Sequence, residues 1–187
     1  MNQQSSREIN NRVVALRKSQ QVPAERREAP TVQYLREQLA GEVPKALRRE
    51  LLTLLAVEYA YLNLPKEEEE TLLHAVELDP EEPLPRIALA SFLQQYPDRF
   101  DEARRQAKLA IEYSETTDRF RRHALQTLAR IAKDRRDYTE LSAVFQSLVT
   151  LRVEKGMIDS AVENDFLVGL PDGVVDAALL EKVRARA

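Results

Sequence analysis

The sequence predicts an all-α fold, and three features of the chain indicate it. Apolar residues recur at the spacing of an amphipathic helix from Leu47 to Leu151. No segment alternates apolar and polar residues with the period of two that is typical of a half-buried strand. The 187 residues include only 4 glycines, which argues against a turn-rich β fold. We therefore expect helices joined by short turns.

The first 30 residues predict a polar, flexible tail. Gln, Asn, Ser and Arg dominate this segment, and two prolines interrupt any helix. Ile9, Val13 and Leu16 share a possible helical face, but three apolar residues bury too little surface to hold a helix without a partner. We therefore expect that the tail can be removed without loss of the fold.

Order is predicted to begin at Thr31, which can cap a short helix. Val32, Leu35 and Leu39 give this helix one apolar face, and Gly41 suits its C-terminal end. We expect this helix to cover the front of the helical array that follows.

A first pair of helices is predicted from Leu47 to Leu78. Apolar residues at helical spacing form the first member, which ends at the Asn-Leu-Pro break of residues 63–65. Four glutamates at residues 67–70 lie in the first turn of the second member, where the helix dipole favours negative charge. Asp-Pro at residues 79–80 ends this pair.

Two further pairs of helices follow. Prolines at positions 83 and 85 open a helix, and a turn at residues 96–98 separates it from an alanine-rich partner. The third pair is predicted over residues 117–134 and 138–152, which are split by a charged turn. The array as a whole is assigned to residues 31–153.

The three helix pairs repeat one another in sequence. Leu55 to Leu89 is 34 residues, Leu72 to Ala107 is 35, and Ala107 to Phe145 is 38. Self-similarity at such a period is typical of stacked helical hairpins, each of which buries one face on its neighbour.

This pattern resembles the tetratricopeptide repeat family over residues 47–153. Residues 75–80, Ala-Val-Glu-Leu-Asp-Pro, look like the end of a repeat. Residues 100–103 and 137–141 look like the start of a second helix, and Glu68 stands where the family has a small residue. The resemblance implies a tetratricopeptide-like helical-hairpin solenoid.

A stack of hairpins exposes apolar surface at its last member unless a further element covers it. Residues 154–187 are predicted to supply C-terminal capping helices. One apolar stripe lies between Met157 and Phe166. Asp172 is predicted to cap a final helix that turns Val175 and Ala178 inward.

Residues suited to catalysis or metal binding are scarce. The chain has no cysteine, no Gly-rich phosphate loop, and no zinc-protease or EF-hand spacing. His74 and His123 lie on different hairpins, and the run Glu67–Glu70 points around its helix instead of converging. We therefore predict no enzyme activity, no metal site and no cofactor.

The best basic patch comprises arginines and lysines between residues 119 and 136. Interleaved acids and few aromatic residues make nucleic acid an unfavoured partner. No apolar run reaches the length of a membrane span, so membrane insertion is not expected. The first residues lack the apolar core of a secretory signal, and a cytoplasmic location is expected.

The resemblance implies a function. In this family, the first helices of successive hairpins line a concave groove that binds a peptide or a helix of a partner. Carried over to this chain, the lining comprises Glu50, Thr53, Val57 and Tyr61 from the first hairpin, Ile87, Ser91, Gln94 and Gln95 from the second, and His123, Gln126, Arg130 and Lys133 from the third.

These residues are apolar at one end of the predicted groove, amide-rich in its middle and cationic at the other end. The sequence thus predicts a non-catalytic protein-interaction module, adaptor-like or chaperone-like. The alternative is a structural subunit that forms a homo-oligomer through its repeat ends or its groove.

Overall fold

A computed structural model of the chain describes residues 5–19, 29–114, 118–155, 172–178 and 181. These residues contain helices and no strand, so the predicted all-α class is confirmed for them. The helices are α1 (Ser6–Ser19), α2 (Pro30–Ala40), α3 (Lys45–Tyr61), α4 (Pro65–Leu78), α5 (Pro83–Leu93), α6 (Phe100–Tyr113), α7 (Asp118–Asp134) and α8 (Tyr138–Lys155), with a 3₁₀ turn at Pro97–Arg99 before α6. Within the described residues, no helix is both long enough and apolar enough to cross a membrane.

The chain divides into two units. Unit 1 is Met1–Glu81 and contains α1 to α4, and unit 2 is Glu82–Ala187 and contains α5 to α8. In unit 1 each helix packs against the next one in the chain. In unit 2 successive helices also pack together, and α5 additionally packs against α7.

Helix α1 corrects the prediction of a flexible tail for residues 6–19. Ile9 is 1% exposed and Val13 is 2% exposed, and both belong to the apolar core of unit 1. The buried members of this core on the other helices are Val32, Leu35, Leu51, Leu55 and Tyr59, with Ala29 and Leu62 beside them. The apolar face of α1 is short, but α2 and α3 supply the partner that a marginal helix needs.

Helix α2 begins two residues earlier than predicted, with Ala29 and not Thr31 at the cap position. Pro30 occupies the first turn, where its missing N–H costs nothing, and Thr31 is a buried residue within the helix. Gly41 follows the helix in an extended conformation. The Arg48 guanidinium of α3 donates hydrogen bonds to the carbonyls of Leu39 and Gly41, each at 3.0 Å, and so satisfies this helix end.

Small side chains lie where α5 and α6 approach each other. Ala90 on α5 and Ala103, Ala107 and Ala110 on α6 are all 0% exposed. Interiors are packed close to crystal density, so a larger side chain at these positions has no room.

The buried Arg86 of α5 is held by α6. Its guanidinium donates a hydrogen bond of 2.7 Å to the Gln106 side chain and lies 5.4 Å from the centre of the Tyr113 ring. A buried charge needs such polar and aromatic partners.

At the C-terminal end, Val175 is buried as predicted, but Ala178 is exposed. The Asp176 carboxylate accepts a hydrogen bond of 2.7 Å from the Ala178 N–H. Asp176 and not Asp172 therefore provides the local cap. The predicted stripe between Met157 and Phe166 lies outside the described residues.

Candidate partner-binding surfaces

The outward face of α3 in unit 1 carries two of the predicted groove residues with large exposed side chains. Val57 is 47% exposed and Tyr61 is 62% exposed, and one helical turn separates them. Across the described residues, the other large apolar side chains of this exposure are Val14 on α1 and Leu73 on α4, both also in unit 1. Unit 1 thus concentrates the exposed apolar surface of the described chain.

An ion pair with a buried carboxylate joins α1 to α3 beside this face. Glu58 of α3 is 0% exposed, and its carboxylate accepts a hydrogen bond from the guanidinium of Arg17 on α1. The same guanidinium lies 5.4 Å from the centre of the Tyr61 ring. A carboxylate in the protein interior requires such a partner, because its desolvation is costly. Arg17 therefore links the core of unit 1 to its exposed face.

Sequence reasoning missed this pair, although part of its signal was present. Glu58 shares the apolar stripe of α3 with Leu55, Tyr59 and Leu62, all of which are buried. A charged residue on a buried face predicts a cationic partner. The position of Arg17, in a segment interpreted as a tail, hid that partner.

The other two predicted residues on α3 are engaged within unit 1. Glu50 accepts a hydrogen bond from the Ser6 hydroxyl of α1. The Thr53 hydroxyl donates to the carbonyl of Arg49, one turn earlier, at 3.0 Å. Both side chains are half-buried, so they offer a partner less surface than Val57 or Tyr61 does.

In unit 2, the prediction that Ile87 lines an exposed surface is wrong. Ile87 is 8% exposed and packs in a cluster with Ala110 of α6 and Ala124 of α7. The physical reason is that α5 packs against α7 as well as α6. A residue on the side of α5 that faces α7 is therefore buried between hairpins.

Two of the predicted amide and hydroxyl residues of α5 also face α7. The Ser91 and Thr127 hydroxyls lie 3.4 Å apart, and the Gln94 amide donates a 2.7 Å hydrogen bond to the carboxylate of Asp134. Gln95 is exposed. Of the predicted residues on and just after α5, Gln95 has the most accessible side chain.

Helix α7 presents the remaining predicted residues on its outward side. Arg130 is exposed, while His123, Gln126 and Lys133 are half-buried. Burial lowers the pKa of His123, and the nearby charges of Arg122, Arg119 and Arg130 lower it further. This face is cationic, and Arg119 and Arg122 of the predicted basic patch lie beside the predicted groove residues.

Glu140 and Asp101 of unit 2 form ion pairs with cations outside α7. Glu140 of α8 accepts from Arg104 at 2.7 Å and from Lys108 at 2.8 Å, both on α6. Burial by itself raises the pKa of Glu140, but these two cations outweigh it, and the net shift is downward. Asp101 at the start of α6 pairs with Arg135. These pairs hold α6 against α8 and against the turn that precedes α8.

The described residues contain no group of three or more His, Cys, Asp or Glu side chains placed to hold a metal ion. An open cavity of about 620 Å³ lies in unit 2 between α8 and residues 173–174. Its polar lining includes Tyr138, Ser142 and Gln146.

Comparison of the chain with protein-family models, curated proteins and solved structures found no significant match.

Proposed function

We propose that this chain is a cytoplasmic, non-catalytic protein-interaction module of the tetratricopeptide-like helical-hairpin type, adaptor-like or chaperone-like. The observation that carries the proposal is the exposed Tyr61 beside Val57 on α3. Large apolar side chains clustered on one exposed face are typical of interaction sites. Such a surface binds apolar side chains of a partner segment.

Helix packing within each unit supports the hairpin type. Consecutive helices pair, and in unit 2 the first helix of one hairpin contacts the first helix of the next, α5 with α7. First helices that lie side by side are what the repeat resemblance implies for a partner-binding surface. The α3 face and the α7 face are both formed by first helices.

Tyr61 has the features of an interaction anchor. Its ring is large and rigid, and the guanidinium of Arg17 lies against it at 5.4 Å from the ring centre. Arg17 is itself held by Glu58, so the ring is positioned before any partner arrives. Pre-positioned aromatic residues lose little conformational entropy on binding, and they carry much of the energy of many interfaces.

Site-specific cross-linking in native lysate tests the proposal. A photoreactive phenylalanine analogue at position 61 of the full chain is expected to capture a defined partner protein. The same analogue at position 105, an exposed site on α6, is the control. Capture of the same proteins with equal yield from both positions contradicts a partner site on α3.

The alternative function is a self-assembling subunit, and Leu73 favours it. Leu73 lies on α4, apart from the α3 face, and is 37% exposed, so unit 1 has a second apolar position available for contact with another copy. Self-assembly predicts a solution mass that rises with protein concentration. A mass that stays that of one chain at all concentrations contradicts it.

A further inference from the structure

The outward face of α7 carries cations in a regular pattern. Arg122 lies three positions after Arg119. Arg130 lies eight positions after Arg122, and Lys133 lies three positions after Arg130. At about 100° per residue, these four positions lie within about 60° of one line along the helix. They form one stripe about 21 Å long. We call these four residues the α7 stripe.

The α7 stripe has no acidic residue within it. The intervening positions of the same face are His123 and Gln126, and the opposite face is buried through Ala124, Leu128 and Ile131. Asp134, at the edge of the stripe, is hydrogen-bonded by Gln94. The face therefore presents a concentration of positive charge, although the whole chain has a net charge of −3.

The cations of the α7 stripe are close enough to act on one another. Arg119, Arg122 and Arg130 all lower the pKa of the imidazole of His123, which lies among them. Positive charges gathered this closely on one face attract an anionic group. The Arg119 guanidinium also lies 5.9 Å from the centre of the Phe120 ring, which orients it.

We propose that the α7 stripe binds an acidic segment of a partner protein, with two pairs of carboxylates about 16 Å apart. This rests on the proposed function, since it takes the protein to be a partner-binding module, but it uses a surface of unit 2 alone. The four cations have the same spacing from either end of the α7 stripe. A partner helix with the same spacing of acids therefore fits in either direction along α7.

A protein segment fits the stripe better than a nucleic acid does. Nucleic acids place phosphates at short, even intervals, whereas the two cation pairs are separated by a neutral stretch that contains Gln126. Binding of single strands also depends on aromatic side chains that stack on bases. The aromatic residue beside the stripe is Phe120, which is half-buried and packs on the cluster around Ile87.

Fluorescence anisotropy with designed helical peptides tests this proposal on the full-length chain. One peptide carries four glutamates at the spacing of the α7 stripe in an alanine- and glutamine-rich host. A second has the same composition with its glutamates spread around the helix. We expect the first to bind more tightly, and its affinity to fall as salt rises from about 50 mM to about 300 mM.

Two matched double variants assign the binding to the stripe. Arg119→Gln with Arg130→Gln is expected to weaken binding of the first peptide roughly fivefold to tenfold. Lys66→Gln with Arg105→Gln removes the same charge from exposed positions elsewhere and is expected to have little effect. Arg119→Lys with Arg130→Lys keeps the charge and is expected to retain most of the affinity. Unchanged far-ultraviolet circular dichroism checks that each variant folds.

Three results overturn the proposal: equal affinity for the two peptides, an equal loss in both charge-removing variants, or tighter binding of a single-stranded oligonucleotide than of the first peptide. Tyr61→Ala separates this proposal from the proposed function. It is expected to leave peptide binding by the α7 stripe unchanged. Failure of the peptide to bind, with cross-linking at position 61 intact, rejects the stripe alone.

Discussion

The two units stabilise their helices by different means. In unit 1, α1 is held by two buried apolar residues, Ile9 and Val13, and by the ion pair of Arg17 with Glu58, whose side chain is 1% exposed. In unit 2, the side chain of Glu140 is 10% exposed and pairs with two cations, Arg104 and Lys108. Unit 1 also exposes apolar side chains, whereas the described residues of unit 2 expose no large one to the same degree. Unit 1 therefore depends on a few buried contacts beside its exposed apolar face.

Deletion of residues 1–19 is expected to have the largest effect. It removes Ile9 and Val13 from the core and leaves the carboxylate of Glu58 without its cation. Together these losses cost on the order of 5 kcal/mol or more. Urea unfolding should show loss of the cooperative transition of unit 1. A transition unchanged in midpoint and slope contradicts the packing of α1.

Single substitutions compare the two kinds of ion pair. Arg17→Ala leaves Glu58 buried without its partner and is expected to lower the free energy of unfolding by about 3 kcal/mol. Arg104→Ala in unit 2 is expected to cost less than about 1 kcal/mol, because Lys108 still pairs with Glu140, whose side chain is 10% exposed against 1% for Glu58. Denaturant titration of both variants measures the difference. Equal losses reject the contrast between the units.

The sequence predicted much of the fold because the signals for it are local. The breaks at Asn63–Pro65 and Asp79–Pro80 set the ends of α3 and α4 to within about two residues. The packing of α1 was missed because the contact between Arg17 and Glu58 joins residues 41 apart. No local pattern in residues 1–30 reveals which distant face will cover Ile9.

The candidate site was predicted less completely. A helical repeat indicates which face of its helix a residue occupies more reliably than it indicates which other helix covers that face. Val57, Tyr61 and Arg130 are exposed as their positions suggested. Ile87 is buried, because α5 packs against α7 at that point. Arg119 lies four residues before His123 on α7, so the helical repeat already places the two on one face.

Packing within unit 2 is tested by overfilling a helix contact. Ala90 is 0% exposed on α5, so Ala90→Trp is expected to cost about 1–3 kcal/mol or more. Ala143 is exposed on α8, and Ala143→Trp is expected to change the free energy of unfolding by less than about 0.5 kcal/mol. If Ala90→Trp and Ala143→Trp unfold at comparable urea concentrations, the packing around Ala90 on α5 is not close.

Glu68 gives the smallest expected effect on stability, and that effect depends on pH. Burial raises its pKa from 4.5 to about 6. The folded state therefore binds this proton more tightly than the unfolded state, and stability falls as pH rises from below 4.5 to above 6. Glu68→Gln removes this penalty and, because solvent screens this half-buried site, is expected to add no more than about 1 kcal/mol at neutral pH.

The same substitution is expected to change little near pH 4, where Glu68 is protonated in the folded state. Glu77→Gln, at an exposed position of α4, is the control and is expected to have little effect at either pH. Thermal unfolding at both pH values measures the difference. A gain from Glu68→Gln that is the same at both pH values contradicts burial as the cause.

The most direct test of the central claim is the affinity of the partner that is captured through position 61. Tyr61→Ala is expected to weaken its binding by about 1–2 kcal/mol, because an exposed and pre-positioned aromatic side chain is lost. Arg105→Glu, on the exposed side of α6, is expected to leave the affinity unchanged. The opposite pattern, with affinity intact in Tyr61→Ala and abolished in Arg105→Glu, contradicts the assignment of the binding face to α3.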